Sequence, residues 1–392
     1  MDDPNAQAAR LNREAPLTDV HVHPSLKAWL YRRNLWRHYW SGPKFDPFSS
    51  RSDFKMLEKG QVRVIWLAHY IPERELFRRC WLARIAAFLA SPFEQRLTTG
   101  SRFQRLIEMM TAMEVEINRK PDRVELARSP EAVKSICSQG KIAAVHTVEG
   151  GHVLEGSIAN LEELHRRGVA MLTLSHFYPY DDPARPDAGI ADSADGIPKD
   201  MFFRPLCSKL AAPEPERPYL TDFGVAVLRR MRELGMLVDI THCAPEAREA
   251  IYAEVGTDVP IVASHVGADE LNSDPYNLTR DEILHIAGTG GLIGVIFMPY
   301  WLGKPADDPA EPDYGVHTIW HTLEYLHGVT GSWDHVVLGT DFDGFSDPTD
   351  TVKDSSQMPK ITRKLLEEGL SEDEVKKVLG GNAQRVLEGG WR

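Results

Sequence analysis

The stretch MLVDITHCAPEAREAIYAEVGTDVPIVASH, residues 236–265, carries one complete structural unit. A short β-branched run, MLVDITH (236–242), leads through Ala-Pro into the helix-like APEAREAIYAEV, which Gly256 follows; a second apolar run, PIVASH (260–265), comes next. Proline at a first helical turn and glycine just past the last one are ordinary start and stop signals. Two strands joined through one helix run parallel, and such units build a sheet covered by helices. Each of the two strand runs also ends in a histidine, His242 and His265.

The same pattern extends in both directions along the chain. Further strand runs are LTDVHVH (17–23), QVRVIWLAH (61–69), KIAAVHTVE (141–149), VAMLTLSH (169–176), GLIGVIFM (291–298) and HVVLGTD (335–341), which makes eight in all. Between them lie amphipathic stretches such as NLEELHRRG, DFGVAVLRRMRELG, TRDEILHIAGTG and HTIWHTLEYLHGV, most of them ended by glycine. Eight strands alternating with helices predict an α/β fold, a (β/α)8 TIM barrel, with residues 1–392 as a single domain. Residues 70–135 are largely helical in pattern and too long for one crossover, so they are read as an insertion after the second strand. Long loops at 24–55, 177–199 and 303–316 all leave strand C-terminal ends, the face on which barrels build their sites.

Composition narrows the function. The chain has 392 residues, 42% of them hydrophobic, and 45 basic against 57 acidic residues give a net charge of −12. That length and apolar content supply a sizeable core, and the acidic balance argues against nucleic acid as a partner. The cysteines, Cys80, Cys137, Cys207 and Cys243, show no CxxC spacing, so neither a disulfide framework nor a thiolate zinc site is expected. MDDPNAQAARLNREAP lacks the pattern of a secretory signal, which leaves a cytoplasmic location as the expectation. CWLARIAAFLASPF (80–93) contains Arg84 and falls short of the ~20 residues a membrane span needs, so it reads as a buried helix.

Chemistry concentrates at the strand ends. In TDVHVHP (18–24) strand alternation would send Asp19, His21 and His23 to one face, toward the barrel axis, and Val20 and Val22 to the other, against the helices. Two imidazoles two residues apart on a strand can converge on one cation. Glu149, His176, His242, His265 and Asp341 close the third, fourth, fifth, sixth and eighth runs. Imidazole and carboxylate donors gathered on one rim suit a borderline divalent cation such as Zn2+. The expectation is a two-metal site: His21 and His23 on one ion, His242 and His265 on the other, Glu149 bridging them. A water between the ions would be acidified to hydroxide at neutral pH.

The motifs HTVEGGHVLEGSIANLEELHRRGVAMLTLSHFYP, VDITHCAPEA, VASHVGA, GTDFDG and GGNAQRVLE together resemble the renal (membrane) dipeptidase family of metallopeptidases, over most of the chain beyond about residue 140. The resemblance implies a metal-dependent barrel related to the amidohydrolases, a dipeptide substrate, a binuclear zinc centre and a homodimer. It makes Glu149 of VEGG the bridging carboxylate, His242 and His265 ligands of the second metal, and His176 of TLSH a contact to substrate or tetrahedral intermediate. It makes Asp341 of GTDFDG the group that handles protons.

Two positions depart from the family pattern. Relatives usually carry His-x-Asp where this chain has His21-Val22-His23, and a neutral imidazole in place of a carboxylate leaves the site about one unit more positive. Relatives also usually place arginine before Asn-Leu-Thr to hold the dipeptide carboxylate. Here the residue is Tyr276, which lacks both the charge and the fork of a guanidinium, and Arg280 four positions on is the alternative cation.

Three functional classes follow. The first is a dipeptidase-like hydrolase using a metal-bridging hydroxide. The second is an amidohydrolase acting on N-acyl amino acids, other amides or lactones, with carboxylate recognition lost. The third is a barrel that binds without turnover. His317 and His321, four apart in a helical stretch, read as surface or packing residues, and His146 falls on the strand face opposite Glu149. His152 follows the Gly-Gly turn and reads either as structural or as a support of the site. Asn277-Leu278-Thr279 fits a glycosylation acceptor only in a secreted chain. The aromatic-rich KAWLYRRNLWRHYW (27–40) reads as a loop above the site rather than a nucleic-acid or membrane patch.

Overall fold

A computed structural model describes residues 4–42, 48–79, 97, 99–180, 185–194, 219–303, 315–344, 348–349 and 351–392. The strands are β1 (Thr18–Val22), β2 (Val64–Tyr70), β3 (Val124–Ala127), β4 (Ile142–Glu149), β5 (Val169–Thr173), β6 (Leu237–Asp239), β7 (Ile261–Val266), β8 (Leu292–Val295) and β9 (Val336–Leu338). They form one parallel sheet in the order β1-β2-β4-β5-β6-β7-β8-β9. The ring closes just beyond β9, where Val22 bridges Phe342, the His23 amide donates to the Phe342 carbonyl at 2.8 Å and the Asp341 amide to the His21 carbonyl at 2.9 Å. This is the eight-stranded barrel expected, each of its strands falling on a predicted run.

The strand β3 is the addition. It lies inside the 70–135 segment and pairs with Ile142 to Val145, while β5 pairs with the second half of β4, from His146 to Glu149. The eight residues of β4 are long enough to serve both. The rest of the described insertion is helical, chiefly Arg102–Asn118, capped by Ser101 accepting from the Gln104 amide. The stretch 80–93 and the thiols Cys80 and Cys207 lie outside the described residues. Among the described residues no helix is long and apolar enough to cross a membrane.

Two cores follow from strand alternation. The larger gathers Ile65, Leu67, Ala144, Val148, Leu172, Ile293 and Leu338 with the surrounding helices. The smaller gathers Val64, Trp66, Ala143, Val145, Val262, Leu292 and Val337 with the last helix, Asn382–Gly390. That helix crosses the strand starts: Asn382 donates to the carbonyls of Trp333 and Val336, and Arg385 to that of Gly290. Among the described residues the barrel is filled from the strand starts, and the candidate donor groups gather at the strand C-terminal rim.

β1 corrects the expected alternation. Its register against β2 shifts between Asp19 and Val22, and an inserted residue resets which face follows. Val22 packs in the outer core but Val20 joins the inner one, so the two valines do not share a face.

Candidate metal centre

The rim brings the predicted donors together. His23 caps the helix Pro24–Leu30 just past β1, Glu149 is the last residue of β4, and His265 lies within β7. His176, His242 and Asp341 each sit three residues beyond the last residue of β5, β6 and β9, in loop rather than in the strands the sequence suggested. His242 and Asp341 take left-handed backbone angles, φ +68° and +57°, which turn their side chains back over the rim.

Glu149 is the hub. Its Oε1 lies 3.3 Å from His21 Nε2, 3.2 Å from His242 Nε2 and 3.4 Å from His265 Nε2, and its Oε2 lies 3.6 Å from His23 Nε2. The Nε2 atoms of His21 and His23 are 3.0 Å apart, those of His242 and His265 3.2 Å. Asp341 Oδ1 stands 3.0 Å from His23 Nε2, and His176 Nε2 stands 3.9 Å from Glu149 Oε1. All these side chains are buried. Donor triplets within 4.8 Å of one another are His21-Glu149-His265, His21-His23-Asp341 and Glu149-His176-His242. His21 thus neighbours both halves of the expected site, its ring 3.6 Å from that of His265.

The surroundings explain why lone pairs point inward. Ser264 Oγ donates to Asp239 Oδ2 at 2.6 Å, so its oxygen is left to accept from His265 Nδ1 at 2.8 Å and His21 Nδ1 at 3.1 Å. With hydrogens on both Nδ1 atoms, both Nε2 atoms present bare lone pairs to the cluster. Burial, with the neighbouring His21 next in effect, pushes His265 well below the ordinary imidazole range, which keeps it neutral. Burial would raise the Glu149 carboxyl, but the imidazoles of His176, His21 and His23 hold it well below the ordinary carboxylate range. The Nε2 atoms of His21 and His23, 3.0 Å apart, share at most one proton; burial would lower His23, but the Asp341 and Glu149 carboxylates raise it. That donor set fits divalent cations of the zinc type.

Several residues outside the expected list belong to this environment. Glu73, just past β2, is buried and accepts from His176 Nδ1 at 3.0 Å and from the Tyr70 hydroxyl at 2.6 Å. Asp239 anchors Ser264 and also accepts from Thr173 and Thr241. Asp343 takes a left-handed backbone and ties the rim to the first long loop, accepting from the amides of Arg51 and Ser52. Asp19 turns to the barrel seam, where it accepts from the backbone and hydroxyl of Thr340; burial raises its carboxyl to about 6. Only the isolated aspartates and a glutamate after β2 signalled these roles, and nothing in the sequence paired them with their partners.

Tyr276 is fully engaged. Its hydroxyl donates to the His265 carbonyl at 2.5 Å, and its ring stacks on Trp301 at 4.0 Å and meets the His242 ring edge-on at 5.0 Å. Arg280 is exposed at the start of the helix Arg280–Gly288. His317 and His321 lie on the helix Val316–Thr330, away from the rim. His146 faces outward, bonding His69 at 2.7 Å and Glu114 at 3.2 Å. His152 donates from Nε2 to the Ile71 carbonyl at 2.8 Å, beneath Glu73. Asn277 is buried and bonded to the backbone of Asn272, Trp301 and Gly267, which leaves no exposed acceptor there. Of the stretch 27–40, residues 27–30 end the helix Pro24–Leu30 instead of lying in a loop; beyond it Trp36 packs on Phe54 and donates to the Glu116 carbonyl, while Trp40 is exposed.

Residues 5–389 match a family model described as membrane dipeptidase (Peptidase family M19). "Dipeptidase ataJ" of Aspergillus terreus is 27% identical over 387 residues, 97% of this chain and 86% of the relative. "Uncharacterized dipeptidase C965.12" of Schizosaccharomyces pombe is 25% identical over 340 residues, 86% of this chain and 72% of the relative. Among solved structures, the probable dipeptidase PvdM from Pseudomonas aeruginosa superposes with a TM-score of 0.77 at 20% identity, covering 98% of both chains. A metallo peptidase from Rhodobacter sphaeroides, liganded with a phosphinate mimic of the dipeptide L-Ala-D-Ala, gives 0.73 at 19% identity, over 96% of this chain and 99% of that one.

Proposed function

The chain belongs to the membrane dipeptidase family, and from that premise we propose that it hydrolyses the amide bond of a dipeptide or a related small amide at a pair of divalent cations. The observation that carries this reading is the convergence of four imidazole Nε2 atoms on one buried carboxylate, Glu149, at 3.2 to 3.6 Å. His21 and His23 would hold one ion and His242 and His265 the other, with Glu149 shared between them; imidazole and carboxylate donors make Zn2+ the proposed metal. When bound, the ions would polarise the scissile carbonyl and acidify the attacking water.

The chain's own groups do the rest. Asp341, held over the rim beside His23, takes the proton released as the water oxygen bonds to the carbonyl carbon. It returns that proton to the nitrogen as the C–N bond breaks. His176 lies on the far side of Glu149 and contacts the oxygen that gains charge in the transition state. Asp341→Asn is expected to keep metal content and fold while kcat falls about 10²- to 10⁴-fold. Unchanged turnover would remove Asp341 from this role.

Tyr276 favours a second reading for the substrate. With its hydroxyl spent on the His265 carbonyl and its ring stacked on Trp301, it presents an uncharged wall where a dipeptide carboxylate would need a cation. Substrates without that carboxylate, such as N-acyl amino acids, other amides or lactones, then compete as the natural class. A panel of dipeptides of both chiralities at the second residue, N-acyl amino acids and lactones, assayed with added zinc, separates the two by kcat/KM. Elemental analysis tests the metal. A homodimer is the proposed assembly, tested by sedimentation. The free thiols Cys137 and Cys243 accord with a proposed cytoplasmic location, which cell fractionation tests.

A further inference from the structure

Past the end of β2, Ile71 and Pro72 carry the chain to Glu73, whose carboxylate is fully buried. Its Oε2 accepts from the Tyr70 hydroxyl at 2.6 Å, and its Oε1 from His176 Nδ1 at 3.0 Å and the Tyr178 amide at 3.3 Å. Among the described residues its ion-pair partners are imidazoles only, His176 and, at 4.0 Å, His152 Nδ1. A buried carboxylate without such partners costs several kcal/mol, so these contacts are required by its presence there. Burial alone would raise its carboxyl, yet the two imidazoles hold it down at about 2, so Glu73 is an anion throughout the working pH range.

We infer that Glu73 is the positioning residue of His176: by accepting its Nδ1–H it fixes the tautomer and rotation of the ring and leaves Nε2 as the atom turned toward Glu149 and the substrate. An imidazole is free to rotate about χ2, and the rings against His176, Tyr70 at 4.2 Å, Phe177 at 4.1 Å and His242 at 4.3 Å, pack on it without selecting which nitrogen points inward. Among the described residues, the hydrogen bond to Glu73 makes that selection. The Ser193 hydroxyl donates to the His176 carbonyl and holds its backbone. The arrangement parallels the general logic in which a buried carboxylate orients a working histidine through the nitrogen that does not touch the substrate.

This inference rests on the reading of His176 as a substrate contact, and the experiment keeps the two apart. In the full-length, metal-loaded enzyme labelled with 15N-histidine, the downfield Nδ1–H proton of His176, assigned by its loss in His176→Ala, is expected to disappear in Glu73→Ala. It should persist, shifted upfield, in Glu73→Gln, whose amide oxygen still accepts. Persistence in Glu73→Ala overturns the assignment of Glu73 whatever the kinetics. In turnover, Glu73→Ala is expected to lower kcat/KM about 10- to 100-fold with metal content and Tm retained, Glu73→Gln to restore most of it, and Glu73→Ala/His176→Ala to match His176→Ala alone. Losses that multiply in the double variant show Glu73 acting independently of His176 and overturn the inference. Full kcat/KM in His176→Ala refutes the role given to His176 instead, and the proton resonance then decides the positioning by itself. Should Glu73→Ala fail to fold, loss of the resonance in Glu73→Gln is the overturning result.

Discussion

Ser264 serves two of the proposed ligands at once, because one hydroxyl oxygen lies 2.8 Å from His265 Nδ1 and 3.1 Å from His21 Nδ1. It can accept from both only because its hydrogen is committed to Asp239. Removing the hydroxyl frees both rings to take the other tautomer, which would aim an N–H at the metal. Ser264→Ala is therefore expected to weaken metal binding about 10- to 100-fold with little change in fold, as a titration against a competing chelator will show. Unaltered affinity would mean that packing alone orients the rings. Asp239→Asn should follow Ser264→Ala in direction, since an amide nitrogen facing Ser264 would turn its hydroxyl toward the imidazoles. The left-handed backbone of His242 and Asp341 belongs to the same scale: both positions hold strained conformations that only the surrounding rim maintains.

The element that carries Tyr276 is held by an ion pair remote from the chemistry. Arg248, on the helix Pro245–Val255, grips Glu282 through Nε at 2.5 Å and Nη2 at 3.1 Å and also donates to the carbonyls of Cys243, Pro275 and Asn277. Glu282 in turn closes a capping box with Thr279 at the start of the next helix. Arg248→Met leaves a carboxylate and three carbonyls without their donor, and is expected to destabilise by about 3–5 kcal/mol in denaturant unfolding. A loss under 1 kcal/mol would show the loop holding itself. None of this was legible in APEAREAIYAEV, where Arg248 looks like any charge on an amphipathic helix. The eight barrel strands were legible, because their β-branched runs stand between helices with clear stops, and so were their terminal His, Glu and Asp residues. β3 was not: VELA is four residues long and as suited to a helix as to a strand. The shift in β1 was hidden for a different reason, since a bulge depends on the partner strand, and Val20 and Val22 look alike in a sequence. Glu73 stood unremarked within the largely helical 70–135 segment, because the residue it serves lies 103 positions away.

At the scale of the molecule the rim cluster joins strands that are distant in sequence, since β1, β4 and β7 and the loops after β6 and β9 all contribute donors. A ligand bound by the native state alone stabilises it by mass action, about 2.7 kcal/mol at a hundredfold excess over Kd. Chelation should therefore abolish turnover and lower Tm together, and zinc should restore both. Acid does the same by another route. Imidazoles must be deprotonated to bind a cation, so protons compete with the metal as pH falls. The sign is fixed: the excess of Tm in metal-loaded over chelated protein is greatest at neutral pH and shrinks as pH falls. A second window lies lower, because Glu73, depressed to about 2, contributes stability above the ordinary carboxylate range that is lost as pH falls toward its folded value. Glu73→Gln should remove the lower window and leave the upper one intact. Thermal unfolding of metal-loaded and chelated protein from pH 8 to 2 measures both, and a metal-dependent Tm increment that does not vary with pH would contradict imidazole ligation.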